Sequence, residues 1–240
     1  MQALIFDCDG VLVDTERDGH RVAFNRAFEA LGLGIEWDVP LYGELLLIGG
    51  GKERMRHYFD TFGWPEGRPE SKDDLIVLLH KTKTGFFTDI IASGQLPLRP
   101  GVARIVDEAI AAGVRLGVCT TSAPKAIDQV LDLFGPERKA RFEFVHAGDV
   151  VSRKKPDPEI YELAKQSLGL PPGQCVVIED SRNGLLAAMG AGLPTLITTS
   201  AYTEGEDFTG AAAVVPELGD PPNVRITLGE LERLASRQAA

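Results

Sequence analysis

The hydrophobic pattern changes period twice along the chain. The first apolar run, Ala3, Leu4, Ile5 and Phe6, is short and continuous, as in a buried strand, and breaks off into Asp7-Cys8-Asp9-Gly10. Helical spacing takes over from about Asp18 to about Ile91. Ala23, Phe24, Ala27, Phe28 and Leu31 form one apolar stripe closed by Gly32, and a second helix is predicted over about residues 52–62, stopped by Gly63-Trp64-Pro65. A third begins near Ser71, whose hydroxyl can cap it, with Leu75, Leu78 and Leu79 on one face. From Pro100 onward helix and strand alternate. Val102, Ile105, Val106, Ala109 and Ile110 stripe a helix ended by Gly113, and a strand runs to Thr120. A helix over about 125–134, a strand over 142–147 and a helix over 159–168 follow, then strands at 175–178 and 195–197, with an amphipathic helix over 229–237 at the end. Alternating strand–helix units predict a parallel sheet covered by helices on both faces, interrupted by an all-helical insert.

Composition changes this picture little and charge changes it more. The 240 residues, 44% of them hydrophobic, are enough for one or two ordinary domains. No apolar run approaches the ~20 residues of a membrane span, and the Met-Gln-Ala start lacks a secretory pattern, so a cytoplasmic protein is expected. Cys8, Cys119 and Cys175 have no Cys-x-x-Cys spacing and lie in or beside predicted buried strands, where cysteine acts as a small hydrophobe. A formal charge of −10 argues against nucleic acid or anionic membranes as partners. Any anion site must then be a local inversion of the field, built from a bound cation, a few lysines and oriented backbone N–H groups.

Candidate chemistry begins at the end of the first strand. Alternate side chains of an extended segment share a face, so Asp7 and Asp9 converge just past the carboxyl end of that strand, where open α/β sheets bind ligands. A calcium loop starting at Asp7 would need Gly at its sixth position and Glu at its twelfth; those slots hold Leu12 and Asp18. Three further segments repeat the theme of polar groups at strand ends. Val118-Cys119 runs into Thr120-Thr121-Ser122, Arg153-Lys154-Lys155 steps into Pro156-Asp157-Pro158, and Val176-Val177-Ile178 ends on Glu179-Asp180. Taken singly, Thr120 is an ordinary strand-end residue and Lys155 an ordinary loop charge.

The four segments in this order resemble the haloacid dehalogenase superfamily, and nearly the whole chain takes part in the resemblance. It implies a Rossmann-like doubly wound core over 1–15 and 96–240 with a helical cap domain over 16–95. It also implies Mg²⁺, held by Asp7, Asp180 and the Asp9 backbone carbonyl, with Glu179 ligating directly or through water. Asp7 would be the nucleophile that forms an aspartyl-phosphate, and Asp9 the acid and then the base. Thr120 and Lys155 would hold the phosphoryl oxygens, Lys155 also easing repulsion between the carboxylates.

Within the superfamily, the chain is similar to the β-phosphoglucomutase-like subfamily. There the loop over 49–52 belongs to the cap and holds the far end of a substrate. Gly49-Gly50-Gly51-Lys52 is not a Walker A loop, since Leu46 stands where a glycine is required and Glu53 follows the lysine. Gly50, Gly51, Lys52, Lys83, Thr121 and Ser122 are therefore candidate substrate contacts, with Glu16, His20 and Tyr42 nearer the hinges. The chain departs from the subfamily at one place: Arg17-Asp18-Gly19-His20 is one residue longer than the usual spacing to the histidine. The resemblance extends to the phosphatases found beside Calvin-cycle genes, which implies xylulose 1,5-bisphosphate, an inhibitor of Rubisco, as substrate. A β-phosphoglucomutase-like sugar-phosphate mutase, or a phosphatase of another phosphosugar, is the alternative. A monomer acting on a small phosphosugar is expected.

Overall fold

The computed structural model describes residues 1–67 and 71–237; residues 68–70 of the expected cap and 238–240 of the expected core lie outside that description. Six strands, β1 (Ala3–Phe6), β2 (Arg115–Thr120), β3 (Phe142–Ala147), β4 (Cys175–Glu179), β5 (Thr195–Thr198) and β6 (Ala213–Val215), form one sheet in the order β3-β2-β1-β4-β5-β6. Every pairing is parallel. The order reverses at β1, which pairs with β2 on one side and β4 on the other. That reversal opens a crevice at the carboxyl ends of the central strands. β6 was not foreseen, because three residues at a sheet edge are too few to show a period.

Between β1 and the rest of the sheet the described residues build four α-helices, α1 (Arg21–Ala30), α2 (Val39–Leu45), α3 (Gly51–Phe62) and α4 (Lys72–Ala92). Phe24, Phe28, Trp37, Tyr42, Met55, Phe59 and Leu79 are buried together in a separate apolar cluster among these helices. The far half of α4 leaves that cluster: Phe87, Ile90 and Ile91 pack with the sheet. Along α4 the buried face takes Ile76 with Leu75 and Leu79, while Leu78 is only partly covered. The sequence showed no element at α2, whose start is fixed by Asp38 accepting from the Leu41 N–H at 2.8 Å and by Pro40 in its first turn.

The remaining helices, α5 (Val102–Ala111), α6 (Pro124–Asp132), α7 (Pro136–Lys139), α8 (Glu159–Leu168), α9 (Arg182–Gly190) and α10 (Leu228–Arg237), flank the sheet. Leu4 and Phe6 of β1 pack with α5, α6 and α10, whereas Ala3 and Ile5 pack with α8 and α9. Strand alternation between two covered faces explains why β1 reads as an unbroken apolar run. The architecture is the expected α/β class, a doubly wound parallel sheet carrying a helical insert.

Candidate active site

The Asp7 N–H donates to the Ile178 carbonyl at 2.9 Å, one step beyond β1, so the β1–β4 ladder itself delivers the Asp7 carboxyl to the crevice. The Lys155 ammonium spends its three protons there, on Asp7 Oδ1 at 2.6 Å, Glu179 Oε1 at 2.5 Å and the Cys119 carbonyl at 2.9 Å. Burial works against that charge, but Asp7 and Glu179 overcome it and hold Lys155 well above its ordinary pKa. Tyr161 donates its hydroxyl to the same Glu179 oxygen at 2.5 Å, and the other Glu179 oxygen accepts from the Asp180 N–H at 3.1 Å. Burial pushes the Asp7 carboxyl up, with Lys155 opposing it. Asp180 is raised by burial and then by the charges of Glu179 and Asp7.

Three buried carboxylates thus face one ammonium, with oxygens of Asp7, Glu179 and Asp180 within 4.8 Å of one another. This uncompensated negative charge and its all-oxygen donor set fit Mg²⁺. Glu179 has both oxygens engaged by protein donors, which leaves Asp7 and Asp180 as the carboxylates better able to take a cation. Thr120 is buried beside them, its hydroxyl oxygen accepting from the Ser122 N–H at 3.1 Å.

Asp9 is held by a different set of partners. Thr15 donates to its Oδ1 at 2.5 Å, Ser122 donates to its Oδ2, and His20 Nε2 lies 2.8 Å from Oδ1. Burial alone would raise this carboxyl; neighbouring His20 and the hydrogen bonds from His20, Ser122 and Thr15 outweigh it and keep Asp9 well below the usual carboxylate range. The His20 ring stacks on Phe87 at 4.0 Å, and its Nδ1 meets Lys83 Nζ at 2.7 Å. An ammonium accepts nothing, so a charged Lys83 requires a bare Nδ1 and places the His20 proton on Nε2, aimed at Asp9. Burial brings Lys83 down to about 8, Arg54 adding to the effect and Asp9 and Glu16 opposing it.

The extra residue before His20 is absorbed by a π-helical turn, Glu16–His20. The His20 N–H bonds back five residues to the Thr15 carbonyl at 2.7 Å, and the Arg21 N–H bonds back five to Glu16. Such turns accommodate local irregularity within a helix and recur at functional sites. His20 therefore reaches Asp9 despite the longer spacing.

Above the strand ends the helical insert closes a cavity. Asp7, Asp9, Thr120, Thr121, Ser122, Lys155, Glu179 and Asp180 line its core side, and Glu16, His20, Gly50, Gly51, Arg54 and Lys83 its helical side. Tyr42 stands behind this lining, fully buried, donating to Glu16 Oε2 at 2.5 Å and accepting from Arg54 Nη1 at 3.0 Å. It props two groups that face the cavity.

Lys52 is not part of the lining of that cavity. Its ammonium sits on Asp149, whose other oxygen takes Lys154 at 2.8 Å. Two residues further along α3 lie about 200° around the helix, so Arg54 faces inward where Lys52 cannot. The loop is pressed onto the core: a Cβ at Gly49 would come within 2.6 Å of the Lys155 carbonyl. Sequence reasoning missed Arg54, Thr15, Tyr161 and the neutral His80, whose pKa burial, Lys83 and Lys52 bring down to about 4. Arg54 did leave a signal, as a charged residue on the same buried face as Met55 and Phe59.

Residues 1–192 match the family model described as haloacid dehalogenase-like hydrolase. The chain is 52% identical over 240 residues to a CBBY-like protein of Arabidopsis thaliana, an alignment covering 98% of this chain and 75% of that one. The crystal structure of CbbY from Rhodobacter sphaeroides in complex with phosphate superposes with a TM-score of 0.87 at 39% identity, over 97% of this chain and 99% of that one. A mutant of the same protein in complex with xylulose 1,5-bisphosphate matches with the same TM-score of 0.87, at 38% identity and the same coverage of 97% and 99%. With the strand-end acids, the lysine and the hydroxyls in one crevice, the chain belongs to the haloacid dehalogenase-like hydrolases, as a phosphoric monoester hydrolase akin to the CbbY proteins.

Proposed function

We propose that the protein is a Mg²⁺-dependent phosphatase that converts xylulose 1,5-bisphosphate to xylulose 5-phosphate, removing an inhibitor of Rubisco. The observation that carries this reading is a cavity with two cation-bearing ends. Lys155 and the metal-fitting acids lie at the core end, and Arg54, Lys83 and the N-terminal amides of α3 face it from the helical end. A substrate with phosphate at both ends makes use of two such cation-bearing ends, where a monophosphate would use one. The Rhodobacter sphaeroides relative seen with xylulose 1,5-bisphosphate supports the choice of sugar. The distal phosphate is assigned to Arg54, Lys83, Gly50 and Gly51 rather than to Lys52, and the sugar hydroxyls to Glu16 and His20.

In this mechanism an Asp7 oxygen attacks phosphorus, forming the aspartyl-phosphate as the ester P–O bond breaks. Asp9 gives its proton to the departing sugar oxygen. Water then attacks phosphorus of the aspartyl-phosphate while Asp9 takes a proton from it, and the Asp7 Oδ–P bond breaks, freeing the Asp7 carboxylate and inorganic phosphate. Thr120 and Lys155 hold the phosphoryl oxygens throughout. When bound, Mg²⁺ on Asp7, Asp180 and the Asp9 carbonyl supplies neutralisation of phosphoryl charge. His20, Ser122 and Thr15 keep Asp9 an ionised base; a dianionic phosphoryl group beside it raises its proton affinity and so readies it as an acid.

The two epimers, xylulose and ribulose 1,5-bisphosphate, differ in one hydroxyl orientation, so charge cannot distinguish them. Buried polar groups paired with one epimer and left unpaired by the other can give roughly 10⁴–10⁵-fold selectivity. The test is phosphate release from both epimers and from an aryl phosphate, without a sugar bisphosphate primer. Fast release from the xylulose epimer alone is expected. Comparable rates on both defeat the substrate assignment, and release that requires a primer makes the protein a mutase.

A further inference from the structure

Arg99 lies where the chain returns from the helical insert to the core, and it is anchored there by its own N–H, which donates to the Leu12 carbonyl at 2.8 Å. Its guanidinium gathers carbonyls from three separate loops. Nη1 donates to Gly10, after β1, and to Thr198, at the end of β5, at 3.3 Å; Nη2 donates to Thr199 at 2.7 Å and to Pro216, after β6, at 2.6 Å. Asp14 supplies an opposing charge close by.

Two of those loops are the walls of Asp180. Gly10 has φ +80°, and a Cβ added to it would stand 2.0 Å from Asp180 Oδ2, so backbone and carboxylate are in direct contact. On the other side Ser200, next to Thr199 and buried, lines the same cavity as Asp180, and its hydroxyl opposes the rise that burial gives the Asp180 carboxyl. The distance between Gly10 and Ser200 fixes where the Asp180 carboxylate can sit. A single planar cation bonded to Gly10 and Thr199 fixes that distance.

We infer that Arg99 is a positioning residue for Asp180: by clamping the loops after β1 and β5 it presets the carboxylate for the Mg²⁺ it shares with Asp7. This inference rests on the proposed metal site. Lysine is a poor replacement, because a compact ammonium with three donors cannot span four carbonyls in the way a rigid fork does. Removing an outer partner of a metal ligand costs about 10–100-fold in metal affinity.

The experiment is a calorimetric titration of Mg²⁺ into phosphate-free wild type, Arg99→Lys and Arg99→Met, below the melting temperature of each and with circular dichroism establishing the folded fraction. Mg²⁺ affinity is expected to fall by about 10–100-fold in the variants, while KM at saturating Mg²⁺ stays within about twofold and activity recovers as Mg²⁺ is raised. Should Arg99→Met fail to fold, Arg99→Lys carries the measurement. Folded Arg99→Lys that binds Mg²⁺ like the wild type, with activity tracking only the folded fraction, overturns the inference and leaves the metal site standing. A wild type that takes up no Mg²⁺ overturns the metal site itself and the inference with it.

Discussion

The core end of the cavity and its helical end both present charged groups, acids in excess at the one and cations at the other, but fix them by different means. At the core end each group hangs from a strand terminus: Asp7 from β1, Thr120 from β2, Glu179 and Asp180 from β4. Ladders that pair Phe6 with Val118 and with Ile178 keep those termini in register. At the helical end His20, Arg54 and Lys83 come from three helical segments, and the rotation of each helix decides whether a side chain faces the cavity or the solvent. A strand end places chemistry by sequence order alone, whereas a helix places it only once packing has set its phase.

The largest way to break the comparison is at β1. Asp7→Asn should lower turnover by at least about 10⁴-fold while leaving the fold intact, as loss of a covalent nucleophile does elsewhere. Turnover kept near wild type, with deamidation and contamination excluded by mass spectrometry, would end the aspartyl-phosphate mechanism. At the helical end the effect should be smaller and selective. Arg54→Ala should cost about 10–150-fold in kcat/KM for the bisphosphate, from the 1.5–3 kcal/mol of a charged hydrogen bond, and under about threefold for an aryl phosphate. Equal losses on both substrates would remove the distal phosphate site.

Lys83 sharpens the comparison through pH. With its pKa brought down to about 8, kcat/KM should fall above that pH, up to about tenfold per unit, and the limb should be missing in Lys83→Met. Stability should move the other way. The unfolded chain holds this proton up to about 10.5, so between pH 8 and 10.5 it binds more protons than the folded one. Stability then rises with pH across that window, and the cost of burying the charge is fully present below pH 8. At roughly 1.36 kcal/mol per pH unit this is on the order of 3 kcal/mol, and Lys83→Met should melt higher than wild type at pH 7. A lower melting temperature for the variant would refute that account. The smallest effect belongs to Lys52→Ala, which removes an ion pair to the largely exposed Asp149. A loss below about fivefold in kcat/KM is expected on any substrate, shrinking further in salt. A bisphosphate-selective loss as large as that of Arg54→Ala would return Lys52 to the phosphate site.

The same contrast explains what the sequence made legible. Five of the six strands follow from short apolar runs, and the nearness of Asp7 and Asp9 from strand alternation, whereas the joining of Thr120, Lys155 and Asp180 to them came from the ordered motifs of the resembled superfamily. On the helical side, Gly49-Gly50-Gly51-Lys52 marked a loop whose glycines line the cavity, while the cation that faces the cavity from this helix is Arg54 and not Lys52. Lys52 and Arg54 differ only in helical phase, and that phase is set by Met55 and Phe59 entering a cluster whose other members lie on different helices. Arg99 and Tyr161 were invisible for another reason. Each acts on groups distant in the chain, Arg99 on Gly10 and Thr199, Tyr161 on Glu179, and no local spacing announces such a contact.

The π-helical turn before His20 has a bearing on how this site can vary between relatives. Hydrogen bonds that reach back five residues instead of four store one residue of slack inside a helix, where an ordinary insertion would rotate everything downstream by about 100°. The slack is taken up between Thr15 and His20, ahead of α1, so the apolar stripe of α1 keeps its phase and the imidazole keeps its partner. Chain length at this hinge is thereby uncoupled from the position of the His20 imidazole beside Asp9. Two members of the family whose sequences differ by a residue here can share the same imidazole position, and a gap in their alignment is no measure of a difference in chemistry.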